Sequence, residues 1–186
     1  MDRRILKTRD SIFSAFRKLL IEKPYPKITV QNIIDEANIG RSTFYAHFET
    51  KDYLLNALCD EIFSHVFSVD LFKEDSHDFS DAKKGDLNMM SHVLYHLRDD
   101  KLILPGILKG EGKILFWQSF EKYFQKLLID YSMPNRFEDD NIPKDLLLKN
   151  LTASFIEIIK WWIGRDMADD PEELISHYQK LNQFFN

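Results

Sequence analysis

The chain has 186 residues, of which 44% are hydrophobic, and a formal net charge of −5, which is enough apolar material for a substantial core in one or two domains. No run approaches the ~18 apolar residues of a membrane span, and the opening MDRRILKTRD is charged with no apolar signal segment behind it, so a cytoplasmic protein is expected. The single Cys59 excludes an intramolecular disulfide and a multi-cysteine zinc site within one chain. Six Gly and six Pro, with few alternating apolar stretches, predict an all-α fold.

Ile5, Ile12, Phe16 and Leu19 recur at helical period and predict a first helix from about Arg3 to Glu22, stopped by Pro24 and Pro26. Thr29 can cap a second helix, its hydroxyl accepting an orphan backbone N–H, and Val30, Ile33, Ile34 and Ala37 follow at buried-face spacing. Asn38, Ile39 and Gly40 read as a turn. A third helix begins near Arg41. Its Phe44 and Phe48 point one way, leaving Arg41, Ser42, Thr43, Tyr45 and His47 to face outward. Two short helices, a tight turn and an exposed polar face describe a helix-turn-helix, whose second helix enters the DNA major groove.

The run I-G-R-S-T-F-Y-A-H-F-E-T-K, with Thr43, Tyr45, His47, Phe48 and Lys51, resembles the signature of the TetR family of bacterial transcriptional regulators, and the resemblance covers residues 8 to 62. In that family the small residue opening the recognition helix is often Ser and the one two positions on often Gly; here they are Gly40 and Ser42. The resemblance implies double-stranded DNA as partner, with Thr29, Tyr45, His47 and Lys51 directed at phosphates. Arg41 can form a bidentate contact to guanine, Ser42 and Thr43 can donate or accept, and Gln31 stands near the start of the second helix. The competing readings are packing within the head for Tyr45 and a hydrogen bond fixing the next helix for His47. Charge supports the assignment. Residues 1–51 carry ten Lys and Arg against six Asp and Glu, a net +4, so the remainder carries −9, and a basic module on an acidic body keeps phosphate attraction local.

Thr50 caps a fourth helix running to about Ser68, with Leu54, Leu55, Leu58, Ile62 and Val66 on its apolar face; it joins head to body and is the expected transmitter between them. Residues 70 to 86 read as an acidic loop. A helix resumes near Leu87 with Met90, Val93, Leu94 and Leu97, and carries His92 and His96 four apart, a metal-compatible spacing that no cysteine or HExxH pattern supports. After an apolar element around Pro105 and a break between Gly110 and Gly112, Leu115, Phe116, Phe120, Tyr123, Phe124 and Leu127 mark a long helix. Residues 132 to 143 are irregular. Two final helices follow, from about Lys144 to Arg165 and from about Pro171 to Phe185, the second opened by Pro171, Glu172 and Glu173 and striped by Leu174, Ile175, Tyr178 and Leu181.

The expected architecture is a three-helix DNA-binding head, residues 1–50, and a helical body, residues 51–186, that binds an effector and dimerises. In the TetR family the last two helices commonly form a four-helix dimer interface, which here draws on Leu151, Phe155, Ile158, Trp162, Tyr178 and Leu181. Phe116, Trp117, Phe120, Tyr123, Phe155 and Trp162 could line a pocket for a small apolar or aromatic effector, or simply fill the core. The W-W at Trp161 and Trp162 and the D-P-E-E-L from Asp170 resemble a subgroup related to dihydroxyacetone-kinase regulators. No GxSxG, Gly-rich phosphate loop or metal cluster suggests an enzyme, a cofactor or a resident metal. The expectation is a homodimeric repressor on an inverted-repeat operator, released by a small molecule; the alternative is an adaptor whose body binds a protein partner.

Overall fold

The computed structural model describes residues 3–67, 86–132 and 142–183. Among them lie nine α-helices and no strand: α1 (Arg3–Glu22), α2 (Val30–Ala37), α3 (Arg41–His47), α4 (Lys51–Val66), α5 (Asp86–Asp99), α6 (Leu104–Ile107), α7 (Gly112–Leu127), α8 (Lys144–Ile163) and α9 (Pro171–Gln183). The loop read at residues 70 to 86 and the irregular stretch at 132 to 143 fall largely outside the described residues, as do Ser68 and Phe185. No described helix is long and apolar enough to cross a membrane.

The chain divides into two compact units. The first comprises residues 1–62 and 100–119. Here α1 buries Ile12, Phe13, Ala15, Phe16, Leu19 and Leu20. Ile5 belongs to the same sequence stripe but is 44% exposed, because the helices packed on α1 leave its first turns uncovered. Thr29 and Asn32 form a reciprocal capping box at the start of α2, each side chain accepting from the other's backbone N–H at 3.1 Å. Asn38, at φ 51°, supplies the left-handed residue that ends α2, while Gly40 stands in extended conformation as the N-cap of α3. Thr50 caps α4, its Oγ1 accepting from the Tyr53 amide at 3.0 Å.

The first unit runs past residue 50 and takes in residues 100–119, which approach α1 and the turn after it at close range. A Cβ on Gly106 of α6 would lie 2.0 Å from the Leu20 carbonyl oxygen, so α6 meets the end of α1 backbone to backbone. Gly110 has φ +77°, and a Cβ there would stand 2.4 Å from the Pro26 ring. Arg17 adds a 2.7 Å ion pair to Asp100 and approaches Glu61 at 3.8 Å.

The second unit comprises residues 63–99 and 120–186. Met90, Val93, Leu94 and Leu97 of α5 are buried as their spacing implies, with Phe120, Phe124 and Leu127 of α7 and Leu174, Ile175 and Tyr178 of α9. Two hydrogen bonds tie α9 to α8: Tyr178 OH donates to the Leu151 carbonyl at 3.1 Å, and Asn182 Nδ2 to Ser154 Oγ at 3.1 Å. Pro171 opens α9 with Glu172 and Glu173 in its first turn, where the helix dipole favours anions. The preceding turn places Asp166 and Met167 at φ 58° and 55° and is held by Trp162 Nε1 donating to the Asp169 carbonyl at 2.9 Å.

Gly106→Ala is expected to destabilise the protein by about 1–3 kcal/mol or more, since two backbones must separate to admit the methyl group. Thermal unfolding followed by circular dichroism would register this as a lowered Tm; an unchanged Tm would refute the close approach of α6 to α1.

Candidate nucleic-acid interface

The polarity of α3 follows from its two phenylalanines. Phe44 and Phe48 are fully buried, the latter edge-on to Phe13 with centroids 5.6 Å apart. Anchoring these rings turns Arg41, Ser42 and Tyr45 to solvent, while Thr43 and His47 are half-buried. Tyr45 is 46% exposed and leans edge-on against Phe44 at 5.5 Å. The Arg41 guanidinium sits 5.7 Å from the Tyr45 ring centroid, one helical turn away, a cation–π contact that directs it along the exposed face. Tyr45 therefore packs against Phe44 as one of its two readings expects, and part of its ring stays in solvent. His47 lies beside the Phe48 ring, centroids 6.3 Å apart.

At the start of α2 the Thr29 hydroxyl already accepts the Asn32 amide and retains its own O–H to donate. Gln31 is held along the helix by a 2.8 Å hydrogen bond to Asp35. Lys51 is engaged within its own unit. Its ammonium donates to the carbonyls of Tyr25 and Ile28 at 3.0 and 2.9 Å and rests 4.1 Å from the Tyr25 ring centroid. Burial lowers its pKa. Two of the three ammonium N–H groups are thus spent on the backbone, and Lys51 braces the head.

Tyr25 is a structural residue of the head that sequence reading passes over, because between Pro24 and Pro26 it looks like part of a helix stop. It is fully buried, and its hydroxyl donates to Asp52 in the first turn of α4. Burial, then the hydrogen bond to Asp52, pushes the phenol far above its ordinary range. No local pattern announces these contacts, whose partners lie 23 to 27 residues apart.

The predicted pocket residues separate between the units. Phe116 and Trp117 form an edge-on pair at 5.1 Å in the first. In the second, Phe120 stacks on Phe124 at 5.7 Å, Phe124 on Phe155 at 4.4 Å, and Tyr123 on Phe67 at 6.0 Å. Of the predicted interface residues, Phe155 and Trp162 of α8 are fully buried and Tyr178 of α9 nearly so, because each helix turns them into its own unit. Leu151 and Ile158 are each 9% exposed, and Leu181 is 53% exposed. Trp161, not Trp162, faces outward, and with Ser154, Glu157, Ile158, His177, Lys180 and Leu181 it lines a largely apolar groove of about 550 Å³ between α8 and α9. His96 Nε2 and His92 Nε2 are 2.9 Å apart, and His92 Nδ1 lies 2.9 Å from the Val66 carbonyl; no cluster of three or more metal-ligating side chains occurs among the described residues.

Comparison with known proteins decides the lineage. A family model of the tetR bacterial regulatory proteins matches residues 12–58, and one of a transcriptional regulator C-terminal region matches residues 87–183. The crystal structure of a TetR transcriptional regulator from Streptococcus agalactiae 2603V is 31% identical, covers 97% of this chain and 96% of its own, and superposes with a TM-score of 0.75. The chain belongs to the TetR family of transcriptional regulators. The HTH-type transcriptional regulator YxbF of Bacillus subtilis is 39% identical over 96% of the chain, which spans 45% of that relative's own length. The HTH-type transcriptional regulator SAB2452 of Staphylococcus aureus is 28% identical over 80% of each chain. The dihydroxyacetone kinase operon activator DhaS, at 22% identity and a TM-score of 0.63, shares the fold. Within this TetR-family chain, α2 and α3 are the helix-turn-helix.

Because the Tyr25 pKa is raised in the folded state, its contribution is fully present below the ordinary phenol pKa and is lost as pH rises beyond it. Urea unfolding across pH 8 to 12 should show stability falling above about pH 10. Tyr25→Phe should flatten that decline while lowering stability at neutral pH; an identical alkaline decline in the variant would refute the assignment.

Proposed function

We propose that this TetR-family chain is a cytoplasmic, homodimeric repressor that binds an inverted-repeat operator and is released by a small apolar or aromatic effector. The observation that carries the DNA half is the division of α3 into a buried Phe44–Phe48 face and a solvent face bearing Arg41, Ser42 and Tyr45. One such helix reads few base pairs, whereas a two-fold pair reads half-sites about 34–36 Å apart. Arg41 is the base reader, its guanidinium suited to guanine O6 and N7. Ser42, Thr43 and Gln31 supply secondary contacts, and Thr29, Tyr45, His47 and Lys51 hold phosphates.

Dimerisation is drawn to the outer groove of α8 and α9, where Trp161, Leu181 and the edge of Ile158 present apolar surface. Leu151 flanks it, while Phe155, Trp162 and Tyr178 support it from within. Repression needs only operator occupancy, which the head can supply, and the fold neighbour NalD is the secondary repressor of a multidrug efflux pump. An aromatic effector is in keeping with the fold neighbour RolR, whose structure holds resorcinol. Thr152 adds support. It shares a face of α8 with Phe155 and Ile159, and its hydroxyl is buried without a hydrogen-bond partner among the described residues, a cost that a ligand could relieve. The effector must favour the DNA-free conformation, since equal affinity for both would shift nothing.

One observation favours the second reading, an adaptor that binds a protein partner. The rings of Phe120, Phe124 and Phe155 stack on one another as a filled core.

Selection from random duplexes at low salt should enrich a palindrome, with Arg41→Ala relaxing preference at one position by about 1–3 kcal/mol. Recovery of no palindrome would overturn the reading. Leu181→Glu should yield monomers in analytical ultracentrifugation and weaken operator binding with Tm of the monomer preserved; an intact dimer would move the interface elsewhere.

A further inference from the structure

Four cations of the head stand together at the start of α1. Arg3, Arg4, Lys7 and Arg9 fall within the first seven residues of α1. Helix energetics gives no reason for them, because a helix N-terminus favours anions and the first turn of α1 holds no acidic residue. Ion pairing does not account for Arg3 and Lys7 either. Arg17 is paired with Asp100 and Lys18 with Glu36, whereas Arg3 and Lys7 are exposed and form no ion pair among the described residues. Arg3 and Lys7 are four residues apart and share one face of the helix, opposite Ile12.

The same two turns leave their apolar residues uncovered, Ile5 at 44% and Leu6 at 42% exposure. They overhang the head. The place from which they overhang is fixed by three contacts. The Arg9 guanidinium lies 5.1 and 5.3 Å from the ring centroids of Phe13 and Phe48, and Ser11 Oγ donates to the Ala37 carbonyl at 3.2 Å. Phe48 is the C-cap of the recognition helix and Ala37 the last residue of α2. The overhang therefore leaves the head where both motif helices end, and at ~1.5 Å per residue Arg3 stands about 9 Å beyond Arg9.

We infer that the first two turns of α1 form a second DNA-binding element, with Arg3 and Lys7, beside Arg4, contacting phosphates of the duplex that flanks each half-site. Duplex DNA is the occupant because this surface is cationic and α1 carries no acidic residue before Asp10. Such contacts add affinity and reach without reading bases. The inference rests on the DNA-binding reading above and extends its footprint.

The test compares the selected operator as a short duplex, ending at the half-sites, with one extended by a half-turn of flanking sequence at each end, using fluorescence anisotropy over a range of salt. Wild-type protein should bind the long duplex more tightly and with a steeper salt slope. Arg3→Ala combined with Lys7→Ala should lower that slope by about 0.9 for each phosphate that is no longer neutralised, which is about 5-fold in affinity per phosphate at 0.15 M salt. Binding to the short duplex and Tm should remain as in wild type, since alanine is a better helix former and both side chains are exposed. Equal affinity and slope for variant and wild type on the long duplex would overturn the inference, as would equal losses on both duplexes. A wild-type protein that selects no DNA would instead overturn the DNA-binding reading itself, and a variant deficit confined to the long duplex, with Arg41→Ala impaired on both, supports the two together.

Discussion

The head is organised around one buried phenol. Tyr25 sits edge-on to Phe16 of α1 with centroids 6.3 Å apart, donates its hydroxyl to Asp52 of α4, and carries the Lys51 ammonium over its face. Gly112 at the start of α7 backs onto the same ring, where a Cβ would stand only 3.1 Å away. Three helices are thus referenced to a side chain in a three-residue 3-10 turn. A buried hydroxyl and a partly buried ammonium are costly unless satisfied. Here each satisfies part of the other's surroundings: Lys51 binds the carbonyl of Tyr25 itself, and the helix that begins at Lys51 supplies the acceptor for the phenol.

This arrangement explains which parts of the fold were legible in the chain. Caps and faces are local, and Thr29, Thr50 and Pro171 mark the helix starts where their chemistry predicts. Periodicity reports which side of a helix is apolar but not what covers it. Ile5 fits the stripe of α1 and lies beyond its cover, and Leu181 fits the stripe of α9 and faces out. Membership of residues 100–119 in the head was not legible at all. It depends on three glycines whose absent side chains matter through distant backbone and rings, at Leu20, Pro26 and Tyr25.

The solvent face of α3 was legible because it is the complement of a local pattern. Once Phe44 and Phe48 are buried, the direction of Arg41, Ser42 and Tyr45 is determined. Lys51 was assigned from family position, and its bracing role needs contacts more than twenty residues back. In the body, the adjacent Trp161 and Trp162 had to face different ways, and they do; which one turned inward was decided by the Asp169 carbonyl waiting for the Trp162 N–H. Aromatic side chains spaced along a helix signal burial, and the sequence alone does not separate a lined cavity from rings that stack on one another.

The head is discontinuous, built from residues 1–62 and 100–119, and this imposes an order on its synthesis. When Lys51 and Asp52 leave the ribosome, Tyr25 can gain its polar partners, but Gly106 and Gly112 have yet to be made. Leu20, Pro26 and one side of Tyr25 must wait uncovered while the segment between is translated. Closing that long loop carries an entropic cost that local helix formation does not. The first unit reaches its finished form only after residue 119 is made, so a nascent chain acquires the motif helices early and a fully packed first unit late.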